Sequence, residues 1–202
     1  MKRLIFLAFV KVLCIQANAQ KQTVNYISVA VLTTQNAKPF GKFAGLFQEV
    51  MHPGIQAAYG RNIAMARHHD WFAELHLGYF YHRYVQHGIP LYLNFGYRYK
   101  IADHFSIETS LGAGYMHSIP ATAQLKLDEN GDYVSGKGIG RMQAVAVFSL
   151  GIGYTINPQA AGPIKLFAAY QQMAQMPFVK SYVPILPYNT FLVGLCYNFK
   201  SK

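Results

Sequence analysis

The feature that most constrains this chain is a two-residue alternation of apolar and polar side chains that recurs from one end of it to the other. Between residues 71 and 84, Trp71, Ala73, Leu75, Leu77, Tyr79 and Tyr81 share one parity, and Phe72, Glu74, His76, Gly78, Phe80 and His82 share the other. A period of two is that of a strand whose faces meet different surroundings. Residues 89–100 repeat it, with Ile89, Leu91, Leu93, Phe95, Tyr97 and Tyr99 against Pro90, Tyr92, Asn94, Gly96, Arg98 and Lys100. Residues 105–116 set Phe105, Ile107, Thr109, Leu111, Ala113 and Tyr115 against Ser106, Glu108, Ser110, Gly112, Gly114 and Met116. In residues 141–156 the apolar parity is even, and Val145 and Val147 on the other face weaken the contrast.

Aromatic residues sit at the ends of several apolar faces with aliphatic ones between. That is the order in which a lipid-facing strand meets two membrane interfaces and the hydrocarbon between them. A soluble sandwich has no reason to place aromatics at both ends of an apolar face. The longest stretch without Lys, Arg, Asp or Glu, residues 142–164, holds three glycines and two prolines and does not suit a spanning helix. Adding weaker segments at 22–33, 54–64 and 164–173, and a final one at 190–199, gives eight strands. The connections alternate: those at 34–53, 118–140 and 174–189 are long, whereas 65–70, 102–104 and 157–163 are short. The remaining connection, 85–88, lies on the long side. The expected fold is an eight-stranded antiparallel transmembrane β-barrel, with the short turns and both termini facing the periplasm.

Before the barrel, residues 1–19 have a basic start at Lys2 and Arg3, an apolar run, and Ala17-Asn18-Ala19 ahead of Gln20. This is the pattern of a secretory signal cleaved after Ala19, leaving residues 20–202 as a single barrel domain. Cleavage would remove three of the 18 Lys and Arg, leaving 15 against 8 acidic residues, a formal charge of +7. No dense cluster of Lys and Arg accompanies that charge, so nucleic acid is not an expected partner. Anionic lipid and lipopolysaccharide phosphates are. Cys196 would be the sole thiol left, on a lumen-facing parity, and a disulfide framework is excluded.

The last strand puts Phe191, Val193, Leu195, Tyr197 and Phe199 on one face and ends on an aromatic three residues from the terminus. It resembles the C-terminal signal by which the barrel assembly machinery recognises its substrates, although Lys200-Ser201-Lys202 trail beyond Phe199. Over its whole length, including the signal ending Ala17-Asn18-Ala19-Gln20, the chain resembles small Bacteroidetes-type outer-membrane barrel proteins of the OmpA and OmpX size class. The resemblance implies residence in the outer membrane and names no activity.

An eight-stranded barrel is only wide enough for side chains to fill it, so its interior charges must satisfy one another. Pairing Tyr84 with Pro90 would set Glu74 opposite Lys100 and His76 opposite Arg98. Pairing Ile101 with Phe105 would set Arg98 opposite Glu108. These five residues are the expected lumen ion network, a plug at the periplasmic end. Read instead as an acid–base set, they lack a placed nucleophile.

Some barrels of this size are lipid A deacylases, whose motif places a histidine, any residue, then serine and asparagine on one strand. The nearest string here is His117-Ser118, which makes these two the weak catalytic candidates. They are adjacent, so they point to opposite faces of a strand, and no asparagine follows. His68-His69-Asp70 reads as a solvated periplasmic turn with no third metal ligand at a useful spacing. Residues 128–132 depart from the spacing of a calcium loop and read as a loop tip turning at Asn130-Gly131. No metal or cofactor is expected. The resulting expectation is a structural or surface-interaction role exercised through long loops, with a lipid-acting barrel enzyme and a narrow solute channel as the alternatives.

Overall fold

A computed structural model describes residues 24–36, 50–122, 124–128, 131–136, 138–160, 162–178 and 184–199. The proposed signal, residues 1–19, lies outside them. Ten strands follow in chain order: β1 (Asn25–Asn36), β2 (Pro53–Met65), β3 (His69–His82), β4 (Gln86–Lys100), β5 (Phe105–Pro120), β6 (Gln124–Leu127), β7 (Tyr133–Gly136), β8 (Arg141–Ile156), β9 (Ile164–Met176) and β10 (Leu186–Asn198). Eight close into a barrel in the order β1-β10-β9-β8-β5-β4-β3-β2, and β6 and β7 form a separate hairpin within one connection. Every pairing is antiparallel, and β1 meets β10 from Tyr26↔Asn198 to Asn36↔Tyr188, so the barrel sheet has no open edge.

The alternation sets the faces. Leu93 and Leu111 point outward at 58% and 66% exposure, in company with Val29, Val31, Ile55, Leu77, Ile152, Val193 and Leu195. Arg98, Lys165 and Asp70 point inward and are buried. Charged groups inside and aliphatic groups outside invert the arrangement of a soluble protein. Near one rim the outward aromatics pack in pairs: Trp71 stacks on Phe95 with ring centroids 5.5 Å apart and meets Tyr97 edge to face at 5.1 Å, and Phe105 meets Tyr154 edge to face at 5.0 Å. Tyr79 and Tyr81 flank His87 near the other.

Connections at the first rim are short, spanning residues 66–68, 101–104 and 157–163. At the opposite rim, 37–52, 121–140 and 177–185 are long, and only Arg83, Tyr84 and Val85 join β3 to β4. The β6–β7 hairpin rises from the longest of these. Gly131 takes a φ of +84° in its turn, a conformation open to glycine; Asn130, the other half of the expected turn, lies outside the described residues.

One expected register is corrected. The β3–β4 hairpin is tighter than a Tyr84–Pro90 pairing requires: His82 pairs with Gln86, and the Val85 amide donates to the His82 carbonyl at 3.0 Å. Glu74 therefore faces Asn94, and His76 faces Tyr92, six residues away from the expected Lys100 and Arg98. The tighter turn keeps Gly88 beside Phe80, where a Cβ would overlap the ring. Arg98 does lie opposite Glu108, as Ile101–Phe105 pairing requires.

Asp70 is a second correction. Instead of a solvated turn it occupies β3, 2% exposed and facing the lumen, while His68 and His69 beside it are exposed. β3 begins at His69, ahead of the expected start at Trp71, and a bulge between Asn62 and Ala64 in β2 lets Met65 pair with Asp70.

Candidate functional site in the barrel lumen

The lumen holds two polar tiers with an apolar belt between them. At the short-turn end, ionic groups run in a chain across four strands. The Lys100 ammonium lies 2.8 Å from Asp70 Oδ1, and Arg98 lies 3.7 Å from Asp70 Oδ2. Arg98 Nε donates to Glu108 Oε1 at 2.7 Å, and its Nη1 donates to Asn62 Oδ1 at 3.2 Å. Lys165 from β9 closes on the same Glu108 carboxylate. Lys100 also donates to the Ala66 carbonyl at 3.0 Å. The guanidinium of Arg98 lies over the rings of Phe72 and Tyr26, 5.0 and 5.6 Å from their centroids. Those rings fit because the residues facing them across the ladder, Gly96 and Gly60, have no Cβ to overlap them.

Deeper along β3, Glu74 and His76 form a second group. His76 Nε2 lies 3.0 Å from Glu74 Oε2, and Gln56 Nε2 lies 2.7 Å from His76 Nδ1. The Tyr26 hydroxyl donates to Glu74 Oε1 at 2.9 Å, and its ring lies against Arg98, so Tyr26 links the two groups. Across both, Asp70, Glu74 and Glu108 balance Arg98, Lys100 and Lys165 without calling on His76. Each of these carboxylates thus has a cation or a hydrogen-bond donor beside it in the lumen, as a buried charge requires.

Phe80, Tyr92, Met116, Val145, Val147, Met173 and Tyr188 make the apolar belt. Tyr92 bridges it to the polar side, stacking on His76 at 4.7 Å and accepting a hydrogen bond from Gln171 at 2.7 Å. Beyond the belt, towards the long loops, Gln86 Nε2 donates to Gln175 Oε1 at 2.7 Å and to the Tyr188 hydroxyl at 2.8 Å. Gln143 and Ser118 join the same amide cluster. Between the tiers a cavity of about 60 Å³, lined in part by Gln56, Glu74, Lys165 and Gln171, has room for a few waters. A larger vestibule of about 510 Å³ opens at the short-turn rim around Arg98, Lys100, Asp103 and His104.

The five residues expected as a lumen network all lie in this half of the barrel, joined by Asp70, Lys165, Tyr26 and Asn62, which the sequence reading did not include. Lys165 carried a readable signal: it stands alone between Ile164 and Leu166 at the head of a strand, where parity points it inward.

The two weak catalytic candidates are not brought together. Ser118 is buried in the lumen and donates to Gln86 Oε1. His117 points the other way; its Nδ1 meets the Tyr115 hydroxyl at 3.1 Å and its Nε2 the Ile139 carbonyl at 3.0 Å. Among the described residues no serine, threonine or cysteine hydrogen-bonds His76, so the Glu74–His76 pair has no nucleophile to activate. Cys196, opposite Lys165, is a buried free thiol.

A closed antiparallel eight-stranded barrel, ion-filled and aliphatic outside, has the outer-membrane β-barrel fold. Among solved structures it is similar to Neisserial surface protein A, with a TM-score of 0.50 and 6% identity over 89% of this chain and 97% of that one. It is also similar to Ail, the attachment invasion locus protein of Yersinia pestis (TM-score 0.45, 15% identity, 88% of this chain and 97% of that one). A third is the outer membrane protein OprG from Pseudomonas aeruginosa (TM-score 0.40, 10% identity, 88% and 96%). No protein-family model matches the chain, and no curated protein matches it by sequence.

Proposed function

We propose that this chain is an integral outer-membrane protein, exported by a signal removed after Ala19, that acts through the loops of its long-loop rim as a surface-interaction or structural element. The inverted distribution of side chains carries this reading: aliphatic residues on every barrel strand face outward, and paired charges fill the interior. A surface of that kind needs hydrocarbon around it. The short-turn rim then faces the periplasm with both chain ends, and the long loops face outward. Arg83 over the Tyr84 ring and Arg141 over the Phe178 ring, with cation–centroid distances of 5.5 and 5.3 Å, put guanidinium groups at that outer rim. There they would meet lipopolysaccharide phosphates. The closing strand, whose extension Phe199 donates to the Asn25 carbonyl at 2.8 Å, is the segment offered to the barrel assembly machinery.

The filled lumen argues against steady conduction, and the divergence of His117 and Ser118 argues against a deacylase. Expression of the full chain in a Gram-negative host tests the proposal. The mature protein should begin at Gln20, sediment with the outer membrane and migrate differently before and after boiling. Protease added to intact cells should cut within residues 37–49 or 121–140 and spare the eight barrel strands. Recovery in the soluble periplasmic fraction, or loops cleaved only after lysis, would overturn the assignment.

A further inference from the structure

The eight barrel strands carry Arg61, Asp70, Glu74, Arg98, Lys100, Glu108, Arg141 and Lys165 as their Lys, Arg, Asp and Glu residues, and all but one share the parity that points into the lumen. Arg61 is the exception. Its neighbours in β2, Gly60 and Asn62, face inward, where Gly60 lies against the Tyr26 ring and Asn62 accepts from Arg98. Arg61 therefore faces out, and it is exposed. In the ladder it lies between Asn25 of β1 and Ala73 of β3 on the same outward face. Trp71, one outward position beyond Ala73 towards the short-turn rim, and Tyr59, one outward position along β2 in the other direction, set Arg61 beside the aromatics of that rim.

Among the described residues no ion pair, hydrogen bond or ring contact engages the Arg61 side chain. The two acidic residues of β1, β2 and β3, Asp70 and Glu74, are turned into the lumen and held there. The turn after β2 adds Arg67, exposed and likewise unpaired, on the water side of the same sector. A guanidinium on a lipid-facing strand is tolerated best where its long stem carries the charge back to the headgroups. The counter-charge at that depth is the lipid phosphate, which a guanidinium grips through two parallel N–H donors. Four residues further out along β2, roughly 13 Å away at the rise of a strand, Ala57 lies between Val29 and Leu77 on the same face. With Ile55, Tyr79 and Ile89 they bound a shallow apolar depression of about 320 Å³, within reach of an acyl chain whose headgroup lies at Arg61.

We propose, resting on the outer-membrane reading above, that Arg61 is the phosphate-binding residue of a site for an anionic phospholipid of the periplasmic leaflet. Arg67 adds to the positive field around it, and the depression over Ala57 seats an acyl chain. A zwitterionic headgroup would bring its ammonium into the same sector, where no exposed carboxylate of β1, β2 or β3 meets it. An anionic headgroup brings the phosphate without that cation.

The test uses the mature protein folded into phosphatidylcholine vesicles that carry a minority of brominated phosphatidylglycerol or, in a parallel set, brominated phosphatidylcholine at the same mole fraction. Trp71, the chain's single tryptophan, lies one strand away on the same outward face, so its quenching reports the lipid held there. Phosphatidylglycerol should quench as though enriched about fivefold over phosphatidylcholine, the effect of one basic side chain on an anionic lipid. R61Q should bring that enrichment below about twofold, and R61K should keep most of it. Equal quenching by the two lipids, or a preference that R61Q leaves unchanged, would overturn the proposal while leaving the barrel in its membrane. Quenching by neither would overturn the outer-membrane reading along with it. The comparison of the two lipids on the unaltered barrel decides the matter even if R61Q does not fold.

Discussion

Replacing Arg98 by methionine is expected to cost about 3–5 kcal/mol of folding stability, the range found when one partner of a buried charge network is removed. Arg98 touches both Asp70 and Glu108, and without it the lumen holds three carboxylates against two ammonium groups. Glu108→Leu should be comparably harmful for the opposite reason, since Lys165 loses its carboxylate and Arg98 keeps only Asp70. The double variant restores the balance, leaving Asp70 and Glu74 with Lys100 and Lys165. Its cost should therefore fall well below the sum of the single costs. Urea unfolding in phospholipid vesicles, followed by the fluorescence of the single tryptophan, measures all three. Strict additivity would show that these charges do not act as one unit.

Leu93→Arg should cost about 2–4 kcal/mol, because it places a guanidinium on the lipid face near the middle of β4. The same change at Tyr99, near the short-turn rim, should cost about 0–1 kcal/mol, since the headgroup region is within reach. The two positions share a strand and a face and are 58% and 47% exposed, so depth in the bilayer is what separates them. Equal effects at both sites would mean that no gradient from hydrocarbon to interface surrounds the barrel.

The faces of the strands were legible in the sequence because the side-chain period of a strand is fixed at two, whatever its partner. Leu75, Leu77, Leu91 and Leu93 point outward, and Glu74, His76 and Arg98 inward, as parity alone requires. Register was less accessible. The β3–β4 pairing differs from expectation by six residues, and an even slip leaves every side chain on its proper face, so alternation cannot detect it. Only the turn distinguishes the two registers, and Arg83-Tyr84-Val85 carries no glycine, proline or asparagine to mark its length.

The lumen partners were missed for related reasons. Asp70 follows two histidines and reads as a turn residue, whereas Lys165 lies at the head of the expected strand 164–173, where its inward parity does not by itself join it to the network. The bulge at Asn62 adds a residue to β2 that no periodicity announces, while Asp70 reaches Arg98 because the two face each other in the β3–β4 ladder.

Trp71 offers the most direct test of the central claim, that the alternating apolar face lies in hydrocarbon while its neighbours fill the lumen. It is the chain's single tryptophan, and it faces outward among the aromatics of the short-turn rim. In vesicles of brominated phospholipid its fluorescence should be quenched strongly by bromine near the carbonyl end of the acyl chain, and less by bromine near the methyl end. Fluorescence untouched by either lipid, from a chain that stays folded and monodisperse in buffer without detergent, would contradict the account.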